Sequence, residues 1–361
     1  MRTALPAVAA VLACTAACAS AGLDPRLFGQ ALAHRPPGCT DPDAVEVAFL
    51  GVDGFLLRRG ADAVLTAPLF SHPKLGRLLA NRPIRADAAA IDRGLPASWA
   101  ADVSAILVGH SHYDHLMDVP HIVNTKAPRA TVYGSRTMKH LLAQVVDPAR
   151  LRALNADVDY RMCPGLAACT GDNHGQPGRW IQLSGGETSG RGVRLRALCS
   201  RHSPQFAGIR LWNGCADRDG PLPARPAEWM LGDTFAYLID FLEDGRPVYR
   251  VYYQDSSTDP TNGYVHAELL AEKPVDLAIL CAGAFGQSRR NPSGILENLE
   301  PRHILMGHWE DFFTGQDRAL RPLRGHDYRA LVAALEAATG AKPWEGRYWF
   351  PAPGQAFAFR P

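Results

Sequence analysis

Gly109-His110-Ser111-His112-Tyr113-Asp114-His115 places three imidazoles and a carboxylate within six positions, directly behind the apolar run Ala105-Ile106-Leu107-Val108. An extended segment projects alternate side chains to one face, so His110 and His112 point the same way from the end of a strand. A turn into a helix at Asp114 then swings Asp114 and His115 towards a second point a few ångströms away. Neutral imidazole nitrogen and carboxylate oxygen are the donors zinc takes where a coordination position stays open, and they serve iron or manganese less selectively. The stretch reads as a metal site.

On these residues the chain resembles the metallo-β-lactamase-fold superfamily of metal-dependent hydrolases, whose H-x-H-x-D-H signature stands here as His110, His112, Asp114 and His115. Two upstream runs, Val45 to Leu57 and Val64 to Ser71, look like that fold's opening strands and the loop that reaches the metal site. The resemblance covers roughly residues 45 to 345. It implies a mixed α/β fold, a four-layer αββα sandwich. Within the superfamily the nearest look is to the bacterial group related to N-acyl phosphatidylethanolamine phospholipase D and to lactonase-like proteins of ascorbate metabolism.

A dinuclear site of this kind needs one more His on each metal and a bridging carboxylate. His202 follows the alternating run Val193-Arg194-Leu195-Arg196-Ala197-Leu198, and His308 follows Ile304-Leu305-Met306, so both close strands. His303 precedes its strand and sits at the wrong end. Two carboxylates compete for the bridge. The family's usual Gly-Asp-Thr letters stand at Gly232-Asp233-Thr234, but Asp233 precedes its strand, whereas Asp255 closes the strand Val248 to Tyr253, as the histidine candidates close theirs. The turn signal Glu243-Asp244-Gly245-Arg246 joins the two strands as a hairpin and brings both carboxylates near one end. We take Asp255 as the bridge, with Asp233 as a partner that orients a ligand.

The resemblance then implies two zinc ions, one held by His110, His112 and His202, the other by Asp114, His115 and His308, with Asp255 shared. Such a pair lowers the pKa of a shared water from about 15.7 towards neutrality and polarises the scissile group. Asp114 and Asp255 are the catalytic carboxylates. Tyr113, Tyr253, His266 and Trp309, close in sequence to ligands, are candidate pocket residues, and Trp309-Glu310-Asp311-Phe312-Phe313 is expected to hold the His308 loop still. The expected reaction is hydrolysis of a phosphodiester or other ester-type bond in a small-molecule or lipid substrate. The alternatives are a lactonase or amide hydrolase, an iron-containing redox member distinguished by metal content and visible absorption, and an inactive binding module.

The chain has 361 residues, 47% hydrophobic and 20% charged, with a formal charge of +2, enough to bury a large core and without the basic excess that nucleic acid requires. Strands are expected near 45–58, 62–67, 105–109, 130–134, 193–199, 234–241, 247–254, 276–281 and 303–306, and helices near 136–145, 264–272 and 326–338. A single domain over 40–361 is expected, with loop insertions at the Gly- and Pro-rich stretches 163–192 and 212–229. Residues 1–21 read as a secretory signal: Arg2 precedes an apolar run, Ala4 to Ala13, far shorter than the about 20 residues of a membrane span. Thr15-Ala16-Ala17-Cys18 resembles a lipobox, as Val11-Leu12-Ala13-Cys14 does, while Ala19-Ser20-Ala21 suits ordinary cleavage; Cys18 is taken as the lipidated residue, giving an exported protein, periplasmic or attached to a membrane. Cys39, Cys163, Cys169, Cys199, Cys215 and Cys281 remain after cleavage. The nearest pairs, Cys163 with Cys169 and Cys199 with Cys215, are candidate disulfides, with Cys281 a buried thiol.

Overall fold

The computed structural model describes residues 41, 43–66, 68–158, 178–185, 190–205, 207–341 and 345–361. The signal segment with Cys14 and Cys18, and Cys39, Cys163 and Cys169, lie outside them. Among the described residues no helix is long and apolar enough to cross a membrane.

Six strands come first: β1 Val45–Gly51, β2 Gly54–Arg59, β3 Asp62–Thr66, β4 Val103–Leu107, β5 Thr131–Gly134 and β6 Leu151–Ala153. Then follow β7 Ile181–Gly185, β8 Arg191–Ser200, β9 Thr234–Glu243, β10 Arg246–Gln254, β11 Leu277–Cys281, β12 His303–Gly307, β13 Tyr348–Trp349 and β14 Ala356–Phe359. They form two seven-stranded sheets, ordered β14-β1-β2-β3-β4-β5-β6 and β13-β12-β11-β10-β9-β8-β7.

The period-2 alternation of side chains sorts the apolar residues into three cores. Between the sheets lie Val47, Phe55, Val64 and Leu107 from one, and Leu195, Tyr237, Val251 and Ile279 from the other. On the outer face of the first sheet, Leu56, Leu65, Ile106 and Val132 pack against helices Ala88–Gly94, Val119–Thr125 and Arg136–Leu142. On the outer face of the second, Leu238, Ala278, Ile304 and Met306 meet helices Ser293–Leu299 and Tyr328–Thr339. Three cores between four layers make the αββα sandwich expected from the sequence.

Strand direction puts one edge of the sandwich to use. β3, β4, β5 and β6 run parallel, and β1, two antiparallel steps from β3, points the same way. In the second sheet β10, β11 and β12 run parallel, and β8, two antiparallel steps from β10, again agrees. Every one of these strands delivers its following loop to the C-terminal edge of its sheet.

Three expectations change. The run 45–58 is two strands, because Gly51 at φ +109° and Val52 at φ +58° reverse the chain before Gly54. The stretch 163–192 is not all loop: Ile181–Gly185 pairs with β8 as an edge strand. Trp180, just before it, lies 3.9 Å below the Arg194 guanidinium, a cation–π contact that closes that edge. The expected helices shorten to Arg136–Leu142, Ala267–Glu272 and Tyr328–Thr339. Cys199 and Cys215 are both disulfide-bonded, and Cys281 is a buried free thiol.

Strand β10 is fixed from its outer face by Arg250, which is fully buried. Its guanidinium donates to Asp240 on β9 at 2.6 and 2.8 Å and to the carbonyl oxygens of Leu269 and Lys273 at the end of helix Ala267–Glu272. Removing one partner of a buried ion pair strands the other, so Arg250→Ala should cost about 3 kcal/mol in urea unfolding. A loss under about 1 kcal/mol would assign the tie to the neighbouring Arg194–Asp240 pair.

Candidate metal centre

The C-terminal ends of four strands meet around one cluster. β4 runs into Val108-Gly109-His110, and a short helix, Tyr113–Leu116, begins with His112 at its N-cap and carries Asp114 and His115. β8 is followed by His202, β10 by Asp255 and β12 by His308. His110, His112, Asp114, His115, Asp255 and His308 are all buried.

The donor atoms fall into interlocking groups whose members lie within 4.8 Å of one another: His110, His112 and His202; His110, His115 and Asp255; and Asp53, His115 and His308. Asp255 stands between His110 and His115, Oδ1 3.0 Å from His110 Nδ1 and Oδ2 3.5 Å from His115 Nδ1. Asp114 Oδ2 is 3.3 Å from His308 Nε2 and 3.7 Å from His115 Nε2. His202 Nδ1 donates to the Ser203 carbonyl at 2.5 Å, which leaves Nε2 as the free donor.

Two observations test whether this set suits metal. His110 Nε2, His112 Nε2, His115 Nδ1, His308 Nδ1 and Asp255 Oδ2 are buried with no hydrogen-bond partner, although buried polar atoms are almost always partnered. The backbone also makes room for Asp255: a Cβ on Gly109 would meet all three of its carboxyl atoms at 2.3 Å. Orphaned donors converging from several loops fit bound metal.

Burial and mutual proximity set the charges. Burial, aided by neighbouring imidazoles, holds His112, His115 and His202 down to about 3 and His110 well below its ordinary value, so all four are neutral and their lone pairs free at pH 7. Burial pushes Asp255 up to about 6 against the pull of His115 and His308. Burial also opposes charge on Asp114, yet His115 and His308 outweigh it and hold that carboxyl below the usual range. For His308 the hydrogen bond to Asp114 and the charge of Asp53 overcome burial and lift it to about 9.

Asp233 lies at the same edge, since Ser200 of β8 pairs with Thr234, but its carboxylate accepts from Asn155 Nδ2 at 2.6 Å and belongs to none of the donor groups. Of the expected pocket residues, Tyr113 lines the cavity above the cluster. The other three do not. Tyr253 points between the sheets and donates to the Asp53 carbonyl at 3.0 Å. His266 opens helix Ala267–Glu272 against Tyr264. Trp309 is buried in the outer core, its indole donating to the Pro351 carbonyl at 2.9 Å while its own carbonyl accepts from Tyr328, so it secures the His308 loop from behind.

Sequence reading missed Asp53, hidden in a run taken as one strand, and Trp212, hidden in a Gly- and Pro-rich stretch. Trp212 packs edge-on against His112 and Tyr113, with centroids 5.9 and 5.6 Å apart. The cavity, about 350 Å³, has His112, Asp114, His202, Asp255 and His308 at its floor and Leu75, Leu78, Leu79, Leu211, Trp212 and Phe312 among its walls. A larger depression of about 820 Å³ near His72 and Arg85 touches none of the donor groups.

No protein-family model and no curated protein matches this sequence. Similar solved structures include Igni18, a novel metallo hydrolase from Ignicoccus hospitalis, at 15% identity and TM-score 0.45, covering 88% of this chain and 99% of that one. The isothiocyanate hydrolase from Delia radicum gut bacteria is 12% identical with TM-score 0.47, covering 88% of this chain and 100% of that one. CmlA, a diiron β-hydroxylase from Streptomyces venezuelae, is 13% identical with TM-score 0.42, covering 90% of this chain and 55% of that one.

The two carboxylates separate by substitution. Asp255→Ala should lose metal altogether, Gly109→Ala should weaken metal binding about 10- to 100-fold by displacing Asp255, and Asp233→Ala should keep its metal. Elemental analysis and metal titration read all three. Retention by Asp255→Ala with loss in Asp233→Ala would reverse the assignment.

Proposed function

We propose that this protein is a metal-dependent hydrolase of the metallo-β-lactamase fold, with His110, His112 and His202 holding one ion, Asp114, His115 and His308 the other, and Asp255 between them. The convergence of those seven side chains from four strand ends, with His110 Nε2, His112 Nε2, His115 Nδ1, His308 Nδ1 and Asp255 Oδ2 buried and unpartnered, carries the reading. Two divalent ions there, zinc in our reading, supply a nucleophilic water at neutral pH and a Lewis acid for the scissile group. The chain does the rest. Asp255 sets the spacing of the two positions. Asp114, held ionised and open to the cavity, accepts the hydrogen bond of His308 and fixes that ring in place. Tyr113 and Trp212 wall the floor and keep bulk water from the imidazoles.

The bond we assign is a phosphodiester or related ester in a substrate with an apolar arm, because the walls are leucine, tryptophan and phenylalanine while Arg324 stands exposed at the rim to meet an anionic group. Metal-quantified enzyme assayed side by side on chromogenic phosphodiesters, lactones and β-lactams tests this. Phosphodiesters should turn over fastest, and lengthening the alkyl arm should raise kcat/KM by about 4-fold per methylene, the equivalent of about 0.8 kcal/mol each, until the cavity is full. Flat dependence on chain length, or preference for lactones, would overturn the substrate assignment while leaving the hydrolase.

We further propose that the chain is exported and anchored through a lipidated Cys18, which would place it beside lipid substrates. A single acyl chain binds a membrane only marginally, so the several chains of a lipoprotein are needed for firm retention. Mass spectrometry of the mature N-terminus should find a modified Cys18, and Cys18→Ala should release the protein from membranes. An unmodified start at Gly22 would establish ordinary cleavage and remove the anchor.

A further inference from the structure

Asp53 is the one carboxylate at the cluster that the seven-ligand reading leaves without a task. It sits in the turn between β1 and β2, 0% exposed, and neither oxygen meets a nitrogen or oxygen donor among the described residues. The nearest polar neighbour of another kind is the neutral thiol of Cys281. An anionic carboxylate so placed has lost its hydration and gained no hydrogen bond from nitrogen or oxygen, which folded chains tolerate where a cation completes the site.

The backbone around Asp53 is built to bring it there. Val52 is held at φ +58° and His308 at φ +54°, in the left-handed region that is uncommon for any residue but glycine and rare for a β-branched one such as Val52. The two strained residues are tied to each other, His308 N–H donating to the Val52 carbonyl, and Val52 N–H donates to the buried Glu310 carboxylate. Gly307 is the matching concession on the other strand: a Cβ there would stand 2.0 Å from Asp53 Oδ1. Strain on two residues and a glycine on a third serve one outcome, a carboxylate beside His308.

The spacing says what that outcome is for. One oxygen of Asp53 lies within 4.8 Å of a ring nitrogen of His115 and of His308, yet no hydrogen bond joins them. Donor atoms each about 2.0–2.2 Å from a shared ion stand at most about 4.4 Å apart, so a small inward turn of these side chains suffices to share one. We infer that Asp53 is a further ligand of the ion held by His115 and His308, so that this position carries three carboxylates, Asp53, Asp114 and Asp255, while the position of His110, His112 and His202 is dominated by nitrogen. The two positions are therefore chemically unequal, and the oxygen-rich one accepts manganese or iron(II) where the imidazole-rich one prefers zinc.

The inference rests on the dinuclear reading, and metal counting separates the two. Wild-type protein, stripped and reloaded with zinc alone, should bind two equivalents, and manganese in large excess should replace zinc at one site only. Asp53→Asn, similar in shape but unable to supply the charge, should fall to about one equivalent, weaken the second ion by about 10- to 100-fold, and lose manganese selectively. Two equivalents with unchanged affinities in Asp53→Asn would overturn the role of Asp53 alone. Fewer than two in the wild type would instead sink the dinuclear reading. Should Asp53→Asn fail to fold, anomalous scattering from manganese-loaded wild-type crystals decides it: an Asp53 oxygen bonded to the ion supports the inference, and a carboxyl turned to the Cys281 thiol, away from the ion, overturns it.

Discussion

Strand direction is the constraint on which everything else depends. A loop must leave a strand where the strand ends, so parallel strands discharge their loops along one edge, as open α/β sheets do when they bind ligands beyond their carboxyl ends. Here both sheets obey the rule, and the antiparallel steps β1-β2-β3 and β8-β9-β10 restore the common direction after each reversal. Five donor-bearing loops therefore gather over the seam between the sheets, although their residues are scattered from Asp53 to His308.

Such a gathering is costly for the bare protein. Imidazoles lose their charge by burial, Asp255 and Asp53 are pushed towards the protonated form, and the Asp114–His308 pair is the main ionic compensation. The surrounding framework answers with rigidity. Glu310 and Trp309 fix the His308 loop from two sides, Tyr253 holds the Asp53 carbonyl, and Tyr237 donates to the Val108 carbonyl just before His110. These ties fall on the backbone beside the donors and leave the donor atoms free.

Much of this was legible in the sequence, and the gaps have physical causes. His110 to His115 declared themselves by density, and His202, Asp255 and His308 by following alternating or apolar runs, a signal that strand ends carry wherever the sheet is parallel. Asp53 gave no such signal because β1 and β2 are apolar and buried on nearly every residue, so the hairpin between them leaves no break in periodicity; the reversal rests on Gly51 and on a valine forced into a glycine-like conformation. The helices Leu75–Leu79, Val119–Thr125 and Ser293–Leu299 are too short to repeat an apolar stripe twice. Strand β14 lies beyond the stretch that the family resemblance covered, yet Phe357 and Phe359 help to fill the space between the sheets. Trp212 could be found only by knowing that its loop folds back over His112.

The hydrogen bond from His308 to Val52 joins residues near opposite ends of the domain, and it has a consequence for the order in which the molecule matures. Contacts of such long sequence separation form late, because the intervening chain must first be condensed, and they are absent altogether while the C-terminal half is still being synthesised. A nascent chain that has released β4 already presents His110, His112, Asp114 and His115 as an exposed, multidentate trap for whatever cation is abundant. The position beside Asp53 does not exist until β12 docks, so any ion bound there would be chosen by a finished protein in the compartment where folding ends.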